Sequence, residues 1–214
     1  EDTLSLHDAL PIYDLEGIKG DKVNTYIEGM KDATKTAIFG ECKAVLKELF
    51  PTESDYIDAI DPRVSRSVTV STLHGCPPDE IERIASYLIT EKHLHTFVKC
   101  NPTILGYETA RRILDGMGYD YIVFDDHHFR EDLQWEDAVP MFHRLQALAD
   151  REGLEFGLKL SNTFPVDVKA GELPSEEMYM SGRSLYVLSL SLAQKLSLQQ
   201  KAVTQYERAL EAAN

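Results

Sequence analysis

Cysteine, basic charge and long apolar runs are all scarce in this 214-residue chain, and each scarcity excludes something. Three cysteines, Cys42, Cys76 and Cys100, are too few and too scattered for a disulfide framework, and none forms a CxxC pair. They read as reduced thiols. No stretch approaches the roughly 18 consecutive apolar residues that span a bilayer, and the N-terminal region lacks a basic start followed by an apolar run. The expectation is a cytoplasmic chain with no membrane partner. Lys and Arg number 22 against 36 acidic residues, a formal net charge of −14, and no local basic stripe offsets it. That argues against a nucleic-acid partner. No GxGxxG follows a strand pattern and no P-loop is present, so the phosphate fingerprints of open dinucleotide-binding sheets are missing.

What remains is ordinary for a chain that buries one core: 43% apolar and 27% charged residues. Residues 1–12 (EDTLSLHDALPI) follow neither a strand nor a helix period and stop at Pro11 before a different texture begins; TLSLHDALPI resembles a translated sequencing-adapter remnant. They are expected to be a non-native leader. From Asp21 to Leu49 two helical patterns follow one another until Pro51, and residues 51–66 read as a polar surface connection. Beyond them the pattern alternates. SVTVSTL (67–73), HTFVKC (95–100), YIVF (121–124) and EFGLKL (155–160) read as strands. Helical patterns over 79–92, 107–117 and 135–152 follow the first three, and another runs from about Ser184 to Leu196 after a long loop. The spacing of roughly 26 to 34 residues is that of βα units, so a parallel sheet with right-handed crossovers is expected.

Polar and reactive side chains crowd one end of these strands: STLHGC, VKCNPT, FDDHHF and LKLSNT. A (β/α)₈ barrel builds its site on that rim. The expectation is therefore an α/β fold, a partial (β/α)₈ TIM barrel of about four central βα units, with extra N-terminal helices and a long C-terminal helix. Cys76 precedes a helix, where the dipole favours thiolate, although Asp79 and Glu80 oppose the shift. It could equally be a small buried residue at a helix start. Lys99 and Lys159 interrupt apolar strands, and an ammonium facing the barrel interior needs an anion: a reduced flavin ring, a phosphate or a carboxylate. Either could instead point outward with its stem along the helices. Asn101 with Thr103, and Asn162 with Thr163, follow the two lysines and offer donors and acceptors suited to a heterocycle, or serve as turn residues. Asp125, Asp126, His127 and His128, with His74, are a second reading: a metal-dependent hydrolase or lyase barrel. Adjacent residues leave a strand on opposite sides, so a solvated loop is the simpler account of 125–128.

Taken together, YDLEGIKG, EGMKDA, STLHGCPPDEIE, FVKCNPTILGY, GLKLSNT and LPSEEMYMSGRSLYVLSLSLAQKLS resemble the N-terminal barrel of the selenate reductase iron–sulfur subunit family. These are dihydroorotate and dihydropyrimidine dehydrogenase-like flavoproteins. The resemblance covers about residues 13–197. It implies an FMN-dependent oxidoreductase that passes electrons between a small substrate and iron–sulfur centres, with iron–sulfur and NAD(P)H-flavin domains downstream as partners. It implies Cys76 as the proton-moving residue, with Ser71 and His74 as further catalytic candidates. Lys99 would face the flavin ring and Asn101 would bind ring or substrate, here in the order Asn-Pro rather than the superfamily's Pro-Asn. Lys159, Asn162 and Thr163 resemble a later K-x-x-N-T strand end, and Ser181-Gly182 a segment beside the flavin phosphate. Residues 198–214 form a helical pattern outside the family's, and no glycine occurs after Gly182, where the family carries a phosphate-binding pair. The chain is thus expected to be a fragment of a longer barrel, binding flavin weakly or not at all by itself. A third expectation is an inactive remnant that self-associates.

Overall fold

The computed structural model describes residues 14–71, 76–171 and 173–213, and side chains as far as residue 201. In chain order the elements are α1 (Leu15–Lys19), α2 (Asp21–Lys31), α3 (Ala37–Leu49), α4 (Ser54–Asp58), β1 (Ser67–Val70), α5 (Pro78–Thr90), β2 (His95–Cys100), α6 (Tyr107–Gly116), α7 (His127–Glu131), α8 (Trp135–Glu152), β3 (Phe156–Leu160), β4 (Phe164–Asp167), β5 (Glu177–Met180) and α9 (Arg183–Ala213). The contacts divide the chain into two units. The first holds the residues up to Val70 with Glu82–Phe97 and Leu145–Phe156, and the second holds Ser71–Ile81, Val98–Arg144 and Gly157 onward.

Each helix of the alternating region forms for a legible reason. α5 starts on Pro78, whose missing N–H costs nothing in a first turn, and Asp79 and Glu80 sit at the positive end of the dipole. Its stripe of Ile81, Ile84, Ala85, Leu88 and Ile89 is buried throughout. In the first unit Glu28 of α2 lies within 4 Å of Lys31, Lys35 and Lys92, and the attraction of these cations outweighs its partial burial and keeps its carboxyl below the usual range. Tyr87 on α5 donates its hydroxyl to Asn24 Oδ1 at 3.0 Å.

β1, β2 and β3 lie in that order in one sheet. In the first unit the His95 N–H donates to the Arg66 carbonyl at 3.0 Å and the Thr96 N–H to the Glu155 carbonyl at 2.9 Å. In the second, the Asn162 N–H donates to the Cys100 carbonyl at 3.2 Å. Both β2–β3 bonds advance together along the two strands, so the pair is parallel. β2 alternates strictly: Thr96, Val98 and Cys100 are buried, while His95, Phe97 and Lys99 on the opposite face are half-buried.

The second unit packs around aromatic rings. Phe124, Phe129, Phe164 and Tyr107 meet at centroid separations of 5.0 to 5.8 Å, mostly edge to face. Pro102, Thr103, Ile104 and Leu105 form one buried 3₁₀ turn after β2.

Two expectations change. Residues 121–124 are not a strand. The Arg111 guanidinium takes the Ile122 carbonyl at 2.7 Å and the Tyr119 carbonyl at 3.1 Å, while lying 4.6 Å from the Phe124 ring centroid. A side chain thus occupies acceptors that a ladder would have used, leaving the Val123 carbonyl to the Asp167 N–H at 2.8 Å. The loop expected after residue 160 instead contains the antiparallel pair β4–β5, in register Phe164↔Met180 and Asp167↔Glu177. Its alternation was hidden by Pro165, which ordinarily demotes a strand, and by the polar turn between. The long C-terminal helix is found as expected, with the helical patterns of about 184–196 and 198–214 continuous as Arg183–Ala213, since no Pro or Gly interrupts them. Smaller differences follow the same logic. Residues 51–66 contain α4, which buries Ile57, and 127–131 form a helical turn rather than a loop. Thr72 and Leu73 of the expected first strand lie outside the described residues.

Candidate active site

The ends of β2 and β3 bring together several predicted site residues. The ladder offset of about sixty residues places Lys99 beside Lys159. Lys99 is half-buried, and its ammonium is pushed below the usual lysine range first by desolvation and then by the charge of Lys159. Among the described residues neither lysine forms an ion pair with a carboxylate. Two adjacent cations without a carboxylate ion pair among the described residues are an anion-seeking pair.

Immediately after Lys99 the strand ends on Asn101, whose amide nitrogen donates to Asp132 Oδ2 at 3.1 Å. Thr103 donates its hydroxyl to the same oxygen at 2.7 Å, and both Thr103 and Asp132 are nearly fully buried. After β3, Ser161 shares a hydrogen bond of 2.6 Å with Ser189 on α9, and half-buried Asn162 and Thr163 follow. The Asn162 backbone bond to Cys100 pins this strand end to the end of β2.

Ser181 and Gly182 lie at the start of α9, where Gly182 has φ 75°, a left-handed conformation that favours glycine. Ser181 lines a cleft of about 500 Å³ with Tyr121, Val123, Val166, Met178 and Met180. Lys99, Asn101, Lys159 and Asn162 are not among the lining residues of that cleft. Cys76 is half-buried two residues before α5, its thiol 3.9 Å from the Pro77 carbonyl, and Ser71 is exposed after β1. His74 lies outside the described residues. Cys100 is buried, and desolvation pushes its thiol up to about 12, so it is no nucleophile; Cys42 is exposed on α3.

The 125–128 cluster is dispersed among separate partners. Asp125 accepts from the His127 N–H at 2.9 Å and Asp126 pairs with Arg130. His127 lies 3.2 Å from Glu131 and His128 3.0 Å from Glu177, with the two imidazoles stacked at 4.8 Å. Among the described residues no three His, Cys, Asp or Glu side chains are grouped to hold a metal ion. The ligand geometry that the hydrolase reading requires is not found there.

Sequence reasoning missed Asp132, Ser161 and Ser189. Asp132 had a signal: it stands between Phe129 and Leu133, both core residues, and a carboxylate in such company needs donors.

The profile of the family described as oxidoreductase YgfK, N-terminal TIM-barrel domain, matches residues 11–205. Two curated YgfK proteins, from Escherichia coli strain K12 and from Escherichia coli O157:H7 and both named as oxidoreductases, are each 42% identical over 200 residues. The match takes in 86% of this chain but 19% of either relative, so the chain spans about a fifth of their length. No solved structure matches it. A three-stranded parallel sheet with its helices, reactive side chains gathered at the strand ends, and a profile match over most of the chain agree: the chain belongs to the family of the N-terminal TIM-barrel domain of oxidoreductase YgfK.

Proposed function

We propose that this chain is the flavin-binding barrel portion of an FMN-dependent oxidoreductase that exchanges electrons between a small heterocycle-like substrate and iron–sulfur centres carried elsewhere in a longer polypeptide. The observation that carries the reading is the Lys99–Lys159 pair at neighbouring parallel strand ends, next to Asn101 and Asn162. The donor set suits the group: two ammoniums that lack carboxylate ion pairs among the described residues, flanked by amides and hydroxyls that both donate and accept. FMN, when bound, supplies hydride and single-electron chemistry. Lys99 would hold negative charge on the ring, Asn101 and Asn162 would orient ring or substrate, and Ser181 with Gly182 would approach the phosphate. Half-buried Cys76 would take or deliver the substrate proton, with Ser71 and His74 near it in sequence.

The test uses a polypeptide extended to the length of the relatives. It is expected to purify with FMN, and Lys99→Ala is expected to lower its flavin content. Unchanged flavin content in that variant removes the role given to Lys99. The 214-residue chain is expected to bind FMN weakly at most, and a yellow, stoichiometrically loaded preparation overturns that expectation.

One observation favours a second reading, self-association of the isolated chain. α3 has no buried residue, and Ile38, Cys42, Val45 and Leu49 form an exposed stripe at the 4-3-4 spacing of a helix-pairing seam. Phe39, Lys43, Leu46 and Lys47 lie about a quarter-turn away and are the half-buried positions. A second copy would cover the apolar stripe. Light scattering that shows a monomer across the micromolar range eliminates this reading.

A further inference from the structure

We infer that Asp132 is a positioning residue for the candidate site: its carboxylate sets the direction of the Asn101 amide at the end of β2. What Asn101 binds rests on the flavin reading above; how it is held does not. Asp132 follows α7, its N–H donates to the His128 carbonyl at 3.0 Å, and its own carbonyl accepts from the Gln134 side chain, which also reaches the Phe129 carbonyl. The backbone of the residue is therefore tied from both sides. Asp132 is 5% exposed, and its carboxylate turns one oxygen to two donors at once, Asn101 Nδ2 at 3.1 Å and the hydroxyl of Thr103, a residue 2% exposed, at 2.7 Å.

A carboxylate only accepts, so the partner amide must present its nitrogen and cannot flip end for end without losing the bond and placing oxygen against oxygen. Burying a carboxylate is expensive unless donors meet it, and here the donors belong to the segment that carries the candidate ligand residue. The Asn101 amide nitrogen is thereby committed to the fold, and its carbonyl pole is turned away from Asp132. Thr103 donates to the same oxygen from within the buried 3₁₀ turn that follows β2.

The test uses the 214-residue chain, ¹⁵N-labelled, and reads the side-chain amide of Asn101 by nuclear magnetic resonance. In the native chain its two protons are expected to be well separated in shift and slow to exchange with water. Asp132→Ala is expected to bring them to the shifts of a free amide and speed their exchange at least about tenfold, the size expected from a lost hydrogen bond to a charged group. Asp132→Asn retains an acceptor oxygen for both donors and is expected to preserve most of the protection, which keeps the test readable where the alanine variant fails to fold. Thr103→Val is expected to leave the Asn101 resonances in place. Unchanged shifts and exchange in Asp132→Ala, or loss of protection in Thr103→Val equal to that in Asp132→Ala, overturns the inference. The flavin arm uses the polypeptide extended to the length of the relatives. A lower FMN content in its Asp132→Ala variant, restored in Asp132→Asn, supports the positioning role in binding. If the flavin content is unchanged while Asp132→Ala still loosens the Asn101 amide of the 214-residue chain, the flavin reading of Asn101 fails and the orienting contact stands.

Discussion

Lys99 is held in its folded position at an electrostatic cost, and removing its charge should stabilise the ligand-free chain while weakening its hold on anions. Residues side by side on paired strands have side chains roughly 5 Å apart. Two unit charges at that distance repel by about 1 kcal/mol in water and about 3 kcal/mol at an effective dielectric of 20. Lys159 is exposed and Lys99 only half-buried, so the solvent limit governs, and screening brings the repulsion to about 0.5–1 kcal/mol. Lys99→Gln should therefore raise the melting temperature by about 1–4 °C for a chain of this length. Lys159→Gln should give a similar gain, and the double variant less than the sum, because the two substitutions remove one interaction.

The pH dependence has a definite sign. Lys99 titrates below its unfolded value of 10.5, so between the lowered folded value and 10.5 the unfolded chain binds more protons than the folded one. Native stability should rise with pH through that window, the full penalty standing below it, and Lys99→Gln should lose this part of the dependence. Urea denaturation at several pH values and salt concentrations reads all of this. A Lys99→Gln variant less stable than the native chain, or a stability difference that salt does not shrink, would refute the reasoning by showing that packing of the lysine stem outweighs its charge.

Thiol reactivity follows burial: Ellman's reagent should titrate exposed Cys42 fastest and half-buried Cys76 more slowly. Cys100, its thiol pushed up to about 12, should react only on unfolding, and rapid modification of all three in native buffer would contradict the packing at β2. Phe164 is fully buried and makes edge-to-face contacts with Phe124 and Phe129, so Phe164→Ala should cost about 3–5 kcal/mol by denaturant titration. Arg111→Ala should release the carbonyls of Tyr119 and Ile122 and speed amide exchange across residues 119–124, whereas an unchanged exchange pattern would show that the guanidinium does not hold this segment.

Much of the architecture is legible in the residue pattern because its signals are local. β2 was expected at 95–100 and α8 at 135–152, where they are found: the one alternates strictly in burial and the other carries a long amphipathic period despite Pro140. The segment 121–124 misled because YIVF has the composition of a strand, and composition says nothing about an arginine ten residues earlier that takes its carbonyls. β4 and β5 were missed because each is four residues long and their pairing spans a polar turn.

Which residue types stand at the strand ends is legible locally, since a strand's period and its terminating turn are written within a few residues: Lys99 with Asn101, Lys159 with Asn162. That the two lysines are neighbours follows from strand pairing, which no local pattern contains. With 121–124 withheld from the ladder, β3 pairs directly with β2, and two charges sixty residues apart in the chain repel across one strand spacing. The same holds for Asp132, which stands between the core residues Phe129 and Leu133 and beside the charged Arg130 and Glu131, but whose carboxylate meets the Asn101 amide from thirty-one residues away. Which donors satisfy a buried charge is a question of packing, and packing is set by the whole fold.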